Sequence, residues 1–313
     1  MAGHASADPH ASALSEAARA VVRDLALPHL GRLLARLSPV WRSEGDEYSL
    51  SMPHERALAL AWGYAGPDGG LPWAAHAVAA DGIATDDLCW GLLTPAHWHA
   101  GTDEVTMLPP ESLHLDEAAS REALEAVREL FEGEGWLLVY GAPLRWYVAH
   151  ESLAELPTAS VDRVIGRNVD LWMPDHPQAR LVRRLQQEVQ MLLYTHPLNE
   201  RRQAAGRLPI NSFWLSGCGP RQPLQTAPDL RVDDRLREPL MREDWTAWAE
   251  AWQALDAGPL REAWERVQAG EDLRLTLCGE RHAQAWARTP RAWWQALRSR
   301  WSAPAPAAVL DAL

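Results

Sequence analysis

The chain has 313 residues, 47% of them apolar and 23% charged, and carries a net charge of −12. That is enough apolar material for a real core, and it excludes a broad nucleic-acid-binding face, which needs a basic footprint. All 30 basic residues are Arg, which excludes Schiff-base, P-loop and general-base lysine chemistry.

Residues 1–11 are small and polar and read as a frayed tail. Apolar residues then recur at helical spacing through Val21, Val22 and Leu25 and again through Leu30, Leu33, Leu34 and Leu37, with Pro28 as the break. Residues 53–63 continue helical, 66–70 form a Gly-rich loop, and 72–81 form an Ala-rich helix opening on Pro72. Strands are predicted over 88–93 and 104–108. The strongest helix lies within 113–135, with Asp116 as N-cap and Leu124, Val127, Leu130 and Phe131 as its apolar stripe.

Residues 136–140 and 145–149 read as paired strands around a Gly-Ala-Pro turn. After an irregular stretch over 158–174, residues 178–195 are helical and stop at His196-Pro197. An apolar run near 210–215 ends in Gly217-Cys218-Gly219. A loop-rich stretch to Arg237 precedes a helix carrying Trp245, Trp248 and Trp252 on one face, then a helix over 260–268, a strand over 273–278 and a last helix over 290–301. The expected class is α/β: a mixed sheet with packed helices, in a single domain over 12–301. Its parts are a helical 12–70, a core over 71–219 and a Trp-rich 220–301, with a loose tail over 302–313.

Cys89, Cys218 and Cys278 are widely spaced, with no CxxC, which fits reduced thiols. The N-terminus lacks a basic segment followed by an apolar one, and no apolar run reaches the ~18 residues of a membrane span, so a cytoplasmic protein with no membrane partner is expected. The 17 Trp, against 2 Phe, read mainly as core.

No GxGxxG, Walker, GxSxG, HExxH or paired CxxC motif is present. Gly217-Cys218-Gly219 has the look of a phosphate turn, but Pro220 and the polar loop after it oppose a following helix. Cys218 reads as a nucleophile only if an activating partner exists, and as a quiet buried thiol otherwise. His97 and His99 in an HxH, with Asp103 nearby, have spacing suited to a single divalent metal; no other cofactor is expected. The densest polar cluster lies in 188–219: Glu188, Gln190, His196, Asn199, Arg202 and Asn211 sit among apolar residues at a Pro-fixed helix junction. Such a junction gathers side chains and free backbone groups in one small volume. It suits a phosphate or carboxylate, or a polar network that locks the junction.

The strings EVQMLLYTHPLNERR and LPINSFWLSGCG, after Gly166-Arg167-Asn168 and with LTPAHWHAGTDEVTM and DLRLTLCGE in the flanks, resemble the RpfE-type regulatory proteins of proteobacteria, often labelled phosphoglycerate mutase. The centre is more distantly similar to archaeal-type cofactor-independent phosphoglycerate mutases. The matching positions are His196, Pro197, Asn199, Arg202, Gly206, Pro209, Asn211, Trp214, Gly217 and Gly219, with Ser216 where those enzymes carry a second Trp. The resemblance implies a fragment of the alkaline-phosphatase-like fold, with a mutase-like core over 71–219. Those enzymes use two metals held by Asp and His, and a Ser nucleophile. The opening Asp-Gly/Asp-Ser motif and the late Asp-x-x-Gly-His motif that carry the metals are missing here, and two-metal phosphoryl transfer needs both ions.

The leading expectation is therefore a cytosolic binding or regulatory protein without catalysis. A small anionic or phosphorylated ligand would lie around Arg167, Asn168, Glu188, Gln190, His196, Asn199, Arg202, Asn211 and Trp214. The alternatives are a phosphotransferase or mutase with a non-standard site, which would use the single metal at His97, His99 and Asp103, and a protein-interaction module with an exposed Trp-rich surface.

Overall fold

The computed structural model describes residues 9–173, 175–225, 229–289 and 304–313. The helix expected over 290–301 lies outside these. Where the sequence reads as one domain with successive parts, packing groups the chain differently. Met1–Gly45 and Asp229–Leu313 form one unit, and Asp46–Pro228 forms the other. The physical reason is strand pairing between the chain's two ends, which local sequence patterns do not reveal.

In the first unit, Pro28 breaks the helical run into α1 (Pro9–Asp24) and α2 (Pro28–Arg36). Pro28 sits at a helix start, where its missing N–H costs nothing. Leu30, Leu33 and Leu34 form the buried stripe of α2, and Leu37 just past its end is buried beside them. They pack with Trp252 and Leu255 of α10 (Trp245–Ala257) and Leu260 and Val267 of α11 (Pro259–Gln268). Burying each such aliphatic side chain contributes about 1.5–3 kcal/mol.

The free N-terminal amides of α2 find their acceptor in α10. The buried Asp256 carboxylate accepts from the backbone N–H of His29 (3.2 Å) and Leu30 (2.8 Å), and from His29 Nδ1 (3.0 Å). A three-stranded antiparallel sheet completes the unit in the order β1 (Ser38–Ser43), β9 (Ala283–Ala287), β8 (Arg274–Cys278). Pro39 is tolerated because β1 is an edge strand, and a register shift follows it. A short helix, α9 (Arg237–Met241), precedes α10.

The expected loose C-terminal tail is ordered where it is described. Pro306–Asp311 is helical, and the buried Leu313 accepts at its carbonyl from the amides of Arg281 (3.0 Å) and His282 (2.7 Å). The helix start at Pro9 likewise shortens the tail expected over 1–11.

The second unit is built on a four-stranded antiparallel sheet. Its strand order is β5 (Leu137–Ala142), β6 (Arg145–Ala149), β2 (Cys89–Ala96), β7 (Ser212–Pro220). Alternation along the strands sends Leu93, Leu138, Trp146, Val148, Phe213 and Leu215 to one face. There they pack with α5 (Glu117–Glu132) and α7 (Ala179–Tyr194). Trp90, Tyr147 and Ala149 go to the other face, under α4 (Trp73–Ala80). Asp116 caps α5 as expected, accepting from Ala119 N at 2.8 Å.

The remaining elements are α3 (Pro53–Trp62), the hairpin of β3 (Trp98–Ala100) and β4 (Val105–Met107), the four-residue α6 (Val161–Val164) and α8 (Pro197–Ala204). The mixed α/β class stands, but the single sheet divides. The strand near 104–108 belongs to the hairpin, and that near 273–278 to the first unit. Among the described residues, no helix is long and apolar enough to cross a membrane.

Asp256→Ala leaves a buried amide, a half-buried amide and an imidazole without their acceptor, a loss of about 2–3 kcal/mol. Asp244→Ala, which removes the exposed cap of α10, costs about 1 kcal/mol. Thermal or urea melts should rank the two variants in that order.

Candidate functional site

The polar cluster of 188–219 assembles around a helix–helix junction. Helix α7 ends at Tyr194, and His196 caps α8 by accepting the Leu198 amide at Nδ1 (3.2 Å), with Pro197 in the first helical position. Asn199 then turns inward and is buried. Its Nδ2 donates to the carbonyls of Leu193 (2.9 Å) and Ile210 (2.7 Å), and its Oδ1 accepts from Ile210 N (2.9 Å). One carboxamide thus joins the end of α7, the body of α8 and the entry to β7.

Arg202, one turn on, is also buried. Its Nε donates to Leu208 O (2.9 Å) and its Nη2 to Leu113 O (2.5 Å). Desolvation lowers its pKa, with the nearby positive charge of Arg207 acting the same way and Asp116 opposing. Asn211 mimics a strand neighbour: Oδ1 accepts from Trp98 N (2.7 Å) and Nδ2 donates to Trp98 O (2.8 Å). Trp214 is buried and donates from Nε1 to Ala159 O (2.8 Å). These four side chains spend their polar groups on the backbone, which is the locking arrangement.

The other expected ligand residues do not converge with them. Glu188 lies 3.7 Å from Arg184, one turn earlier on α7, and Gln190 is exposed. Asn168 caps a short 3-10 turn by accepting from Asp170 N (3.0 Å), and the Arg167 guanidinium sits 5.6 Å from the Trp172 ring centre. The presumed metal set also disperses. The Nδ1–H of His97 donates to Pro209 O (2.9 Å), while His99 and Asp103 are exposed on the hairpin. Among the described residues, no group of three His, Cys, Asp or Glu is placed to hold a metal.

Gly217-Cys218-Gly219 is not a turn. It lies inside β7, where Trp90 pairs with Gly219 and Leu92 with Ser216, so that two residues bulge opposite Gly91. Gly217 holds a left-handed φ of 62°, and a Cβ there would come within 2.8 Å of Trp73 Cβ. Glycine therefore serves both the bulge and the close approach of α4. Cys218 points into the core, and burial pushes its thiol up to about 12, the opposite of an activated nucleophile.

The Trp-rich helix is equally occupied. Trp252 is buried, and Trp245, Trp248 and Trp252 stack edge to face at 6.1 and 6.0 Å. Among the described residues, Trp245, Trp248 and Trp264 of this part are half-buried, and Trp252 is buried.

Two features escaped the sequence. A shallow open depression, lined by Ser112, His114, Ala205, Gly206, Arg207 and Leu208, lies over the junction. Its residues come from the 3-10 turn before α5 and the loop after α8, so no local motif links them. The second is a charged cluster joining His54 and Glu55 of α3 to Asp162 and Arg163 of α6. Its one sequence signal is the Asp-Arg pair inside an apolar run, Ala159 to Ile165.

No family model matches the chain, and no curated protein does. Among solved structures, the chain is similar to a cofactor-independent phosphoglycerate mutase from Thermoplasma acidophilum DSM 1728. The identity is 13% and the TM-score 0.38, with 86% of this chain and 83% of that one covered. It is also similar to the PH0037 protein of Pyrococcus horikoshii, at 14% identity and a TM-score of 0.32, over 76% of this chain and 54% of that one.

Asn199→Ala strands three buried backbone groups and should cost about 2–4 kcal/mol. Asn168→Ala, at an exposed cap, should cost about 1 kcal/mol or less. In native protein a thiol reagent should modify exposed Cys278 readily, and Cys218 only on unfolding.

Proposed function

We propose that the chain is a non-catalytic binding protein for a small anion, and that the anion sits in the depression outside the junction. The observation that carries the reading is the exposed Arg207 guanidinium at the rim of this depression. Arg202 is buried behind the wall, near enough to Arg207 to feel its charge, and Arg207 is exposed at the rim. Arg207 is steadied by its Nη1 bond to His114 O (3.0 Å), which leaves the planar fork to meet a phosphate or carboxylate. Ser112 and His114 add groups able to form directional hydrogen bonds.

Several of the originally expected ligand residues hold this wall. Asn199 and Arg202 position the loop that carries Arg207, and both are consumed in doing so. Binding is favoured over turnover because the groups expected to do chemistry lie elsewhere. His97 is bonded to Pro209, and Cys218 is sealed in the core. A regulatory role accords with the resemblance of the 188–219 string to RpfE-type proteins.

Titration with inorganic phosphate, followed by thermal shift and calorimetry, tests this. Wild type should be stabilised. Arg207→Ala should keep its melting temperature without ligand and bind at least about tenfold more weakly, or 1.4 kcal/mol. Arg202→Ala should lose stability by about 2–3 kcal/mol through the stranded Leu113 and Leu208 carbonyls. Equal phosphate affinity in Arg207→Ala and wild type, or no binding by wild type, would refute the site.

A further inference from the structure

Helices α5 and α7 cover one face of the second unit's sheet side by side, with their inner stripes in one core. Each spans 16 residues, which is about 24 Å. Arg184 near the start of α7 pairs with Glu134 just past the end of α5. Arg201, in the helix that follows α7, pairs with Glu122 near the start of α5. The two helices therefore run antiparallel, and their outer stripes share one surface.

Those stripes are unlike. In α5, the exposed Glu122, Glu125, Glu129 and Glu132 recur at helical spacing. In α7, the exposed Arg180, Arg183 and Arg184 give way to Met191 and Tyr194. Part of this charge is spent locally. Arg128 holds Glu125 and Glu132, and Arg184 holds Glu134 and Glu188. Glu129, Arg180 and Arg183 take no part in these pairs.

Met191 and Tyr194 are 77% and 83% exposed, the highest values among the large apolar side chains of the described residues. They stand three residues apart, so one turn of α7 presents both to water. Tyr and Met are side chains that interfaces favour, and a Tyr with water removed from around it carries much binding energy.

A surface with an acidic stripe beside a basic one is its own complement. A two-fold axis running along the layer, between the helices, lays α5 of one copy on α7 of the other. Every contact then occurs twice, acid on base. Placements that stack α5 on α5 set like charges together and are disfavoured. We propose that the outer face of α5 and α7 docks a second copy of this chain, with the α5 carboxylates of each copy meeting Arg180 and Arg183 of the other and with Met191 and Tyr194 covered by the contact.

The size of the face bounds the strength of the contact. Two helices about 24 Å long and about 10 Å apart offer roughly 500 Å² per copy, or about 1,000 Å² for the pair. That is the small end of specific interfaces, so the two copies exchange rather than stay joined. A contact selected by exposed charge also weakens with salt.

Sedimentation of the full-length protein over about 1 to 200 µM, in about 50 and 500 mM salt, tests this. Wild type should dimerise, with an affinity at least about tenfold weaker at the higher salt. Tyr194→Asp should weaken the dimer at least about tenfold and leave the melting temperature of dilute protein unchanged, because the side chain is exposed in the single copy. Arg180→Glu/Arg183→Glu and Glu129→Arg/Glu132→Arg should each stay monomeric alone. Their equimolar mixture should pair at near wild-type strength, because both reversed contacts again set acid on base. If a reversed variant does not fold, the salt series and Tyr194→Asp decide. A monomeric wild type, a salt-insensitive dimer, wild-type dimerisation by Tyr194→Asp or by either reversed variant, or a mixture that does not pair would overturn the proposal. The first of these would leave the face to a partner of another kind.

Discussion

The Asn199 carboxamide is the interaction on which the second unit's arrangement rests. Its three bonds join Leu193 at the end of α7 to Ile210 at the approach to β7. Each bond replaces water at a buried backbone group, so its removal costs more than its formation gains. The carboxamide suits the place because it is neutral and carries donors and an acceptor on one small plane. Arg202 extends the same clamp to Leu208 and Leu113, and Asn211 fastens the hairpin strand at Trp98. The junction is a polar lock built from side chain to backbone.

This lock determines what the surface above it can do. The loop after α8 is held from behind by Arg202, and Arg207 rides on it at the edge of the depression. Charge on this face is supplied by the loop, while precision is supplied by the buried layer beneath. On the other side of β7, the bulge at Gly217 and Gly219 brings the strand under α4 and turns Cys218 into the core. Asn199, Arg202, Asn211 and Cys218 are thus consumed in architecture, and Arg207 meets solvent at the depression.

Much of the local structure is legible in the sequence. The Asp116 cap, the stripe of α5, the strand at 145–149 and the stop at His196-Pro197 all follow from patterns of a few residues. What the sequence hides is pairing over long distance. The strand at 38–43 contains a Pro and little alternation, and it becomes a strand because residues 283–287 lie beside it. The partners of Asn199, Arg202 and Asn211 are hidden for a related reason. Residue type shows that these groups need partners, but not that backbone carbonyls and amides would supply them. His97 and His99 share a spacing in the sequence, but the spacing does not show that Pro209 O would accept from the first.

The Ile210 amide reports most directly on the lock, since Asn199 Oδ1 is its acceptor. Native-state hydrogen exchange across a denaturant series gives the free energy at which that amide opens. The account predicts that Ile210 exchanges only with the core sheet, at the same free energy as Leu93 and Val148. An Ile210 amide that opens locally, about 2 kcal/mol or more below those two, would contradict it.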